Sequence, residues 1–338
     1  MKKTLFLALT TSSIMMASSL SQQAKDAGLK AIPQSQTELL KLIDNPKKPI
    51  TQEKVELGKK LYFDPRLSKS GLISCNSCHN LSKGGDDGMS AAVGHKWTAN
   101  PHHLSSPTVY NSVFNVKQFW DGRSPDLEEQ AQGPIQAAPE MSATPKHVVD
   151  TVKSMPAYVK EFKSAYGTDV KITFEKVADT IATFERTLVT PSAFDKFING
   201  NPNALTKKEK NGLKTFINIG CASCHNGVGI GGEMGAINVV SQYKYMNIGD
   251  FKGDANGMVK VPTLRNITET APYFHNGMVK TLRGAIKEMA RIQLGSKLSN
   301  KELSDIEAFL GALKGDKGEI TLPILPTSNS KTPQPDLK

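Results

Sequence analysis

The stretches Cys75-Asn-Ser-Cys78-His79-Asn80 and Cys221-Ala-Ser-Cys224-His225-Asn226 are two copies of one pattern, and their reading decides the fold. The chain has 4 cysteines, and the two copies use all of them. Two thiols held close on a short turn can each add to a vinyl group of one porphyrin. The histidine that follows then lies beneath the iron, so this order of residues is what sulfur tethering and nitrogen ligation demand. A disulfide framework gives no reason for a histidine after each pair. A zinc site would want a second ligand pair close by, and the two copies stand far apart in sequence. The motifs predict two covalently bound haem c groups. Cys75, Cys78, Cys221 and Cys224 attach them, and His79 and His225 are the proximal iron ligands.

Helical periodicity surrounds both motifs, so the expected fold is mainly α. Gln52–Phe63 follows a Thr51 cap and sets Val55, Leu61 and Tyr62 on one side. His147–Tyr166 carries Val148, Val152, Tyr158 and Phe162, with Pro156 as a break or restart. Phe174–Leu188 repeats Phe174, Val177, Ile181 and Phe184 at helical spacing, and Thr281–Leu294 is amphipathic through Leu282, Ile286 and Ile292. Ser299-Asn-Lys-Glu302 is a capping box that opens a last helix, with Leu303, Ile306, Leu310 and Leu313 inside. A brief repeat also shows: Gly58-x-Lys60-x-Tyr62-Phe63 precedes the first motif, and Gly212-x-Lys214-x-Phe216-Ile217 the second. The architecture expected is two cytochrome c-like haem domains in tandem with long structured loops. The longest is Gly84–Pro145, rich in Gly, Pro, His and aromatic residues and read as irregular. The boundaries expected are 1–19 for a signal peptide, 20–188 and 189–315 for the two haem domains, and 316–338 for an extended tail. The apolar part of that tail, Leu322-Pro-Ile-Leu-Pro326, is expected to pack back on the first domain.

Lys2 and Lys3, the largely apolar run Thr4–Ala17 and the small residues Ala17-Ser18-Ser19 read as a secretory signal. Export from the cytoplasm follows. No internal apolar run approaches the ~20 residues of a membrane span. The chain's 338 residues suffice for two real cores. Its formal net charge of +10 serves solubility and partner steering. Without a dense basic cluster interleaved with aromatics, nucleic acid is not an expected partner.

Function then turns on the sixth iron positions. A filled one makes an electron carrier, and an openable one admits small oxidants. His95 follows His79 across the Gly-rich loop Gly84–Gly88, which is long enough to bring it over the same haem; it reads equally as a surface histidine. For the second haem the spacing leaves Met289, on the amphipathic Thr281–Leu294, and Met278, after His275, both open.

Further motifs carry a resemblance. The chain resembles the bacterial dihaem cytochrome c peroxidases over nearly all of its sequence after the signal. The match runs through Gly94-His95-Lys-Trp97, Pro107-Thr-Val-Tyr-Asn111, Gln118-Phe-Trp-Asp-Gly-Arg123, Glu128-Glu-Gln-Ala131, Gly133-Pro-Ile135, Phe184-Glu-Arg-Thr187, Val261-Pro-Thr-Leu-Arg-Asn266, Ala271-Pro-Tyr-Phe-His-Asn-Gly277 and Ile292-Gln-Leu-Gly295.

The resemblance implies a periplasmic enzyme that reduces hydrogen peroxide with electrons from a small donor such as a monohaem cytochrome c. It implies that peroxide reacts at the N-terminal haem, where His95 is the displaceable distal ligand, while the C-terminal haem receives electrons and takes Met289. Gln130 and Glu140 match the positions over the peroxidatic iron, and Trp120 the tryptophan between the haems. A calcium ion between the domains is implied at Ser105, where asparagine is usual, and at the carbonyls of Thr270 and Pro272. A homodimer is implied as well. Two other classes compete: a dihaem electron carrier without peroxidase turnover, and a protein-oxidising dihaem enzyme. Relatives of the latter kind have tyrosine where Met289 stands.

Overall fold

The structure, a computed structural model, describes residues 18–337; the basic and apolar stretch 2–17 of the expected signal lies outside them. Twelve α-helices and one small sheet are found among the described residues, so the chain is mainly helical. The first helices are α1 (Leu20–Asp26), α2 (Gln36–Ile43) and α3 (Gln52–Phe63). The short α4 (Cys75–Cys78) carries the first motif, followed by α5 (Leu127–Gln136), α6 (Pro145–Ser154), α7 (Pro156–Tyr166) and α8 (Phe174–Arg186). Next come α9 (Ala193–Ile198) and α10 (Lys207–Asn218), then the second motif. The strands β1 (Met234–Ala236) and β2 (Met258–Lys260) pair antiparallel, with Gly235 opposite Val259. The helices α11 (Leu282–Leu294) and α12 (Asn300–Gly311) complete the set. No described helix is long and apolar enough to cross a membrane.

Two large hydrophobic cores form, with a smaller cluster of Ile237, Tyr243, Val259 and Ile292. Leu57, Leu61, Val152, Phe162, Val177 and Ile181 fill the first, from α3, α6, α7 and α8. Phe194, Leu213, Phe216, Ile306 and Phe309 fill the second, from α9, α10 and α12. The repeated glycines explain how each core closes. A Cβ on Gly58 would overlap the carbonyl oxygen of Thr180, and one on Gly212 that of Asp305. Helix α3 thus crosses α8, and α10 crosses α12, at backbone contact. An aromatic pair sits beside each crossing: Tyr62 with Phe184 at 5.4 Å and Phe216 with Phe309 at 5.2 Å between ring centroids.

Three expectations need correction. The span 20–188 does not pack as one unit, because Ala24 and Leu29 belong to the second core. Ile32 N–H donates to Asp195 Oδ1 at 2.7 Å, and Leu29 bridges Gly227. The cause is a buried ion pair: Arg265 and Asp195, both fully buried, join in two hydrogen bonds of 2.8 Å, and their remaining capacity draws in the chain near residues 30–32. Second, Gly84–Pro145 is not irregular throughout, since α5 lies inside it. Asp126 caps α5 by accepting from Glu129 N–H, and Leu127, Ala131 and Ile135 face the core. Gly133 and Pro134 hid this helix, because both normally interrupt one. Third, Leu322 and Ile324 are 75% and 90% exposed. Pro323 and Leu325 between and after them are half-buried, in keeping with the alternation of an extended chain. Hydrogen bonds along the first unit hold the tail: Arg66 Nη1–H to the Pro326 carbonyl at 2.7 Å and Asp336 N–H to the Lys69 carbonyl at 2.9 Å.

The units meet at Thr190, which is fully buried. Its hydroxyl oxygen accepts from Asn111 Nδ2 at 2.8 Å and from Asn266 Nδ2 at 2.9 Å, one amide from each side. Thr190→Val keeps the shape and strands both buried donors. It is expected to cost about 1–3 kcal/mol for each, read as a lower denaturation midpoint, with Thr190→Ser close to the parent.

Candidate functional site

Around the first motif, Cys75 packs on the first core beneath α3 and α8. Tyr62 Oη–H donates to the His79 carbonyl at 2.5 Å, fixing the turn. His79 Nδ1–H donates to the Pro107 carbonyl at 2.9 Å, the tautomer that leaves Nε2 bare for a metal. Burial pushes the Cys75 thiol upward and holds Cys78 at about 12, with the charges of Asp87 and Glu140 adding to the second. Such surroundings suit uncharged thioethers.

His95 is buried, and its backbone N–H donates to the Glu140 carbonyl at 2.7 Å. Gly94 makes that approach possible: a Cβ there would overlap the Pro139 carbonyl oxygen and stand 2.7 Å from Glu140 Cα. Burial holds the Glu140 carboxyl above its ordinary range, opposed by Arg123 and His102. Helix α5 carries the half-buried Gln130 and runs directly into this loop, where Glu140 N–H donates to the Ala137 carbonyl. The structure therefore brings His95 and Glu140 onto two loops clasped to one another.

The second motif opens on a mainly apolar cavity of about 330 Å³. Cys221, Cys224, His225 and Met289 line it, whereas Met278 does not. Burial pulls His225 down to about 4 and keeps the ring neutral, as a ligand requires. Its Nδ1 faces the carbonyls of Ile230 and Pro262 without a well-formed hydrogen bond to either. Lys260 also lines the cavity, 5% exposed and pulled down to about 8 by burial, and its charge suits a haem propionate. A large apolar slot with paired thiols, a neutral histidine and a thioether fits haem c.

The same cavity reaches Trp120, Ser105 and Pro107. Trp120 Nε1–H donates to the Ser105 carbonyl at 2.9 Å, and the ring meets His275 edge-on at 6.4 Å. Pro107 thus touches the second cavity while its carbonyl holds His79 of the first site. Thr270 and Pro272 line this region too, and the Ser105 hydroxyl donates to the Met89 carbonyl at 2.9 Å.

A longer repeat than the sequence reading found organises these parts. Thr108 Oγ1–H donates to the Gly84 carbonyl, and Thr263 Oγ1–H to that of Gly229. Asn111 and Asn266 both take left-handed backbone, at φ 62° and 60°. Phe119 and Phe274 do likewise, at 67° and 69°. Trp120 and His275 then hold matching places, which is why they meet. His275 is 2% exposed with neither ring nitrogen hydrogen-bonded. The sequence reading gave it no role; the signal was the pairing of Pro107-Thr108…Asn111 with Pro262-Thr263…Asn266.

The family model described as di-haem cytochrome c peroxidase matches residues 52–203. A cytochrome c551 peroxidase of Nitrosomonas europaea is 47% identical, covering 85% of this chain and 87% of that protein. The chain belongs to the di-haem cytochrome c peroxidase family. A cytochrome c551 peroxidase of Pseudomonas aeruginosa is 42% identical over 95% of this chain and 94% of its own. The methylamine utilization protein MauG of Methylorubrum extorquens is 35% identical, covering 82% and 83%. Among solved structures, a MauG-like protein associated with microbial copper homeostasis superposes with a TM-score of 0.71 at 24% identity, covering 86% and 96%. That likeness supports the fold. The haem c cofactors follow from the family.

The Gly94 contact gives a direct check. Gly94→Ala is expected to force the two clasped loops apart at a cost of about 1–3 kcal/mol, seen as a lower thermal midpoint. It should also expose the 94–105 segment to limited proteolysis before the rest of the chain.

Proposed function

We propose that the chain is a periplasmic dihaem cytochrome c peroxidase, reducing hydrogen peroxide to water with electrons from a small cytochrome c. The observation that carries the reading is the backbone clasp of His95 to Glu140, which supports coupling the loop of the proposed distal ligand to that of the proposed acid. In this reading two cytochrome c-like units stand in tandem. The N-terminal one, anchored at Cys75, Cys78 and His79, is where peroxide reacts. The C-terminal one, anchored at Cys221, Cys224 and His225 with Met289 as distal ligand, receives the electrons.

Bound haem supplies one-electron chemistry at each site. The chain's own residues then divide the remaining work. Displacement of the His95 loop carries the Glu140 loop with it and opens the first site, a two-state change. Glu140 moves a proton from one peroxide oxygen to the departing one, and Gln130 orients the peroxide. Two electrons and two protons then give two waters. Trp120, edge-on to His275 and bonded to the Ser105 carbonyl, lies on the route from the second cavity towards Pro107 and His79.

Calcium is proposed at Ser105 and the carbonyls of Thr270 and Pro272. This oxygen set suits a hard cation, although the Ser105 hydroxyl proton is already directed to Met89. A homodimer is proposed with it.

Turnover tests the reading against a simple electron carrier. Half-reduced protein mixed with peroxide and reduced cytochrome c should oxidise the donor; no peroxide-dependent oxidation would leave only the carrier. Glu140→Gln is expected to slow turnover by about 10²–10⁴-fold with both haems retained. Activity in the parent should fall as pH drops through the raised Glu140 value, because the group must be ionised to accept a proton. Met289→Ala should lower the potential of the C-terminal haem, since thioether ligation raises it, while Met278→Ala leaves that potential in place.

A further inference from the structure

The inner walls of the two units match where the helices cross. Gly58 meets Thr180 and Phe184, and Gly212 meets Asp305 and Phe309. The residue after each phenylalanine is Glu185 in α8 and Leu310 in α12. Leu310 lines the second haem cavity, along with Ile306 and Phe216. By this correspondence Glu185 occupies in the first unit the position that a hydrocarbon holds in the second. It is 5% exposed, and its Oε2 has no hydrogen-bond partner among the described residues. Burial alone pushes its carboxyl up to about 8. Its charge is felt by Tyr62 from α3 and by Cys75 from α4, the two titratable groups coupled to it among the described residues. Once Cys75 is a thioether it carries no proton, which leaves Glu185 as the acid of that wall. An unpartnered buried carboxyl costs stability, so packing gives no account of it.

We propose that Glu185 is a positioning residue for the charge of the N-terminal haem site, protonated when the site is reduced and ionised when it is oxidised. When the site loses one electron, the Glu185 O–H bond breaks and its proton passes to water; when the electron returns, the proton does too. Leu310 gives the second site no such response. The asymmetry suits a first unit that meets an oxidant and a second that only passes electrons. The inference rests on haem at Cys75–His79.

The test is potentiometric titration of both haems in the holoprotein at several pH values, for the parent, Glu185→Gln and Glu185→Leu. The parent's first-haem potential is expected to fall with rising pH across the range where Glu185 ionises. Both substitutions should abolish that fall, and the second haem should behave alike in all three proteins. The Leu variant copies what the second unit already accommodates, and circular dichroism with haem content verifies its fold. An unchanged pH dependence in both variants overturns the proposal. So does loss of the first haem from both, which would make Glu185 a folding residue. A parent without any first-haem signal would instead defeat the dihaem reading itself.

Discussion

One buried hydroxyl ties the molecule together. Thr190 stands between the units and accepts an amide proton from Asn111 on one side and from Asn266 on the other. Its own N–H returns to Asn111 Oδ1 at 3.0 Å. Each asparagine is in left-handed backbone at the start of a short 3-10 turn, so it also sets the direction of the loop that follows. Those loops carry Trp120 and His275. A hydrogen bond shared across a fully buried junction is costly to leave unmade, and the relative placement of the two haem sites depends on it.

On this common frame the two units have diverged chemically. Crossed helices with a glycine at the contact hold each motif, and a threonine-to-glycine-loop bond backs each one. The second unit keeps hydrocarbon around its motif: Phe216, Ile306 and Leu310, with Met289 from α11. In the first unit Tyr62 and Glu185 stand at the positions matching Phe216 and Leu310, and the clasped His95 and Glu140 loops are added. In the proposed function, apolar walls with Met289 suit electron transfer with little rearrangement, and acids such as Glu140 suit proton transfer to an oxidant.

The buried Arg265–Asp195 pair gives the second unit a further duty. Two fully buried charges must be satisfied completely, and their hydrogen bonds recruit residues 30–32 from the far end of the chain. Sequence order therefore does not follow unit order: the first described helix packs on the second unit, while the tail returns to the first.

Local chemistry was legible without a structure. Two copies of Cys-x-x-Cys-His that use every cysteine favour haem c over a disulfide framework or a zinc site, so the cofactor was legible in the sequence. The periodic helices and their caps were as well, because each cap acts within a few residues: Ser299 with Glu302 and Thr51 with Lys54 formed as read from the sequence. Helix α5 was hidden because Gly133 and Pro134 are tolerated only where Phe119 and the Glu140 loop pack against them. Contacts between distant residues were decided by tertiary structure only. The His95–Glu140 clasp, the Trp120–His275 meeting and the burial of Glu185 all arise from long-range backbone approach. The repeated segments mark Trp120 and His275 as counterparts, but each contact depends on where two separate loops or helices are brought to rest.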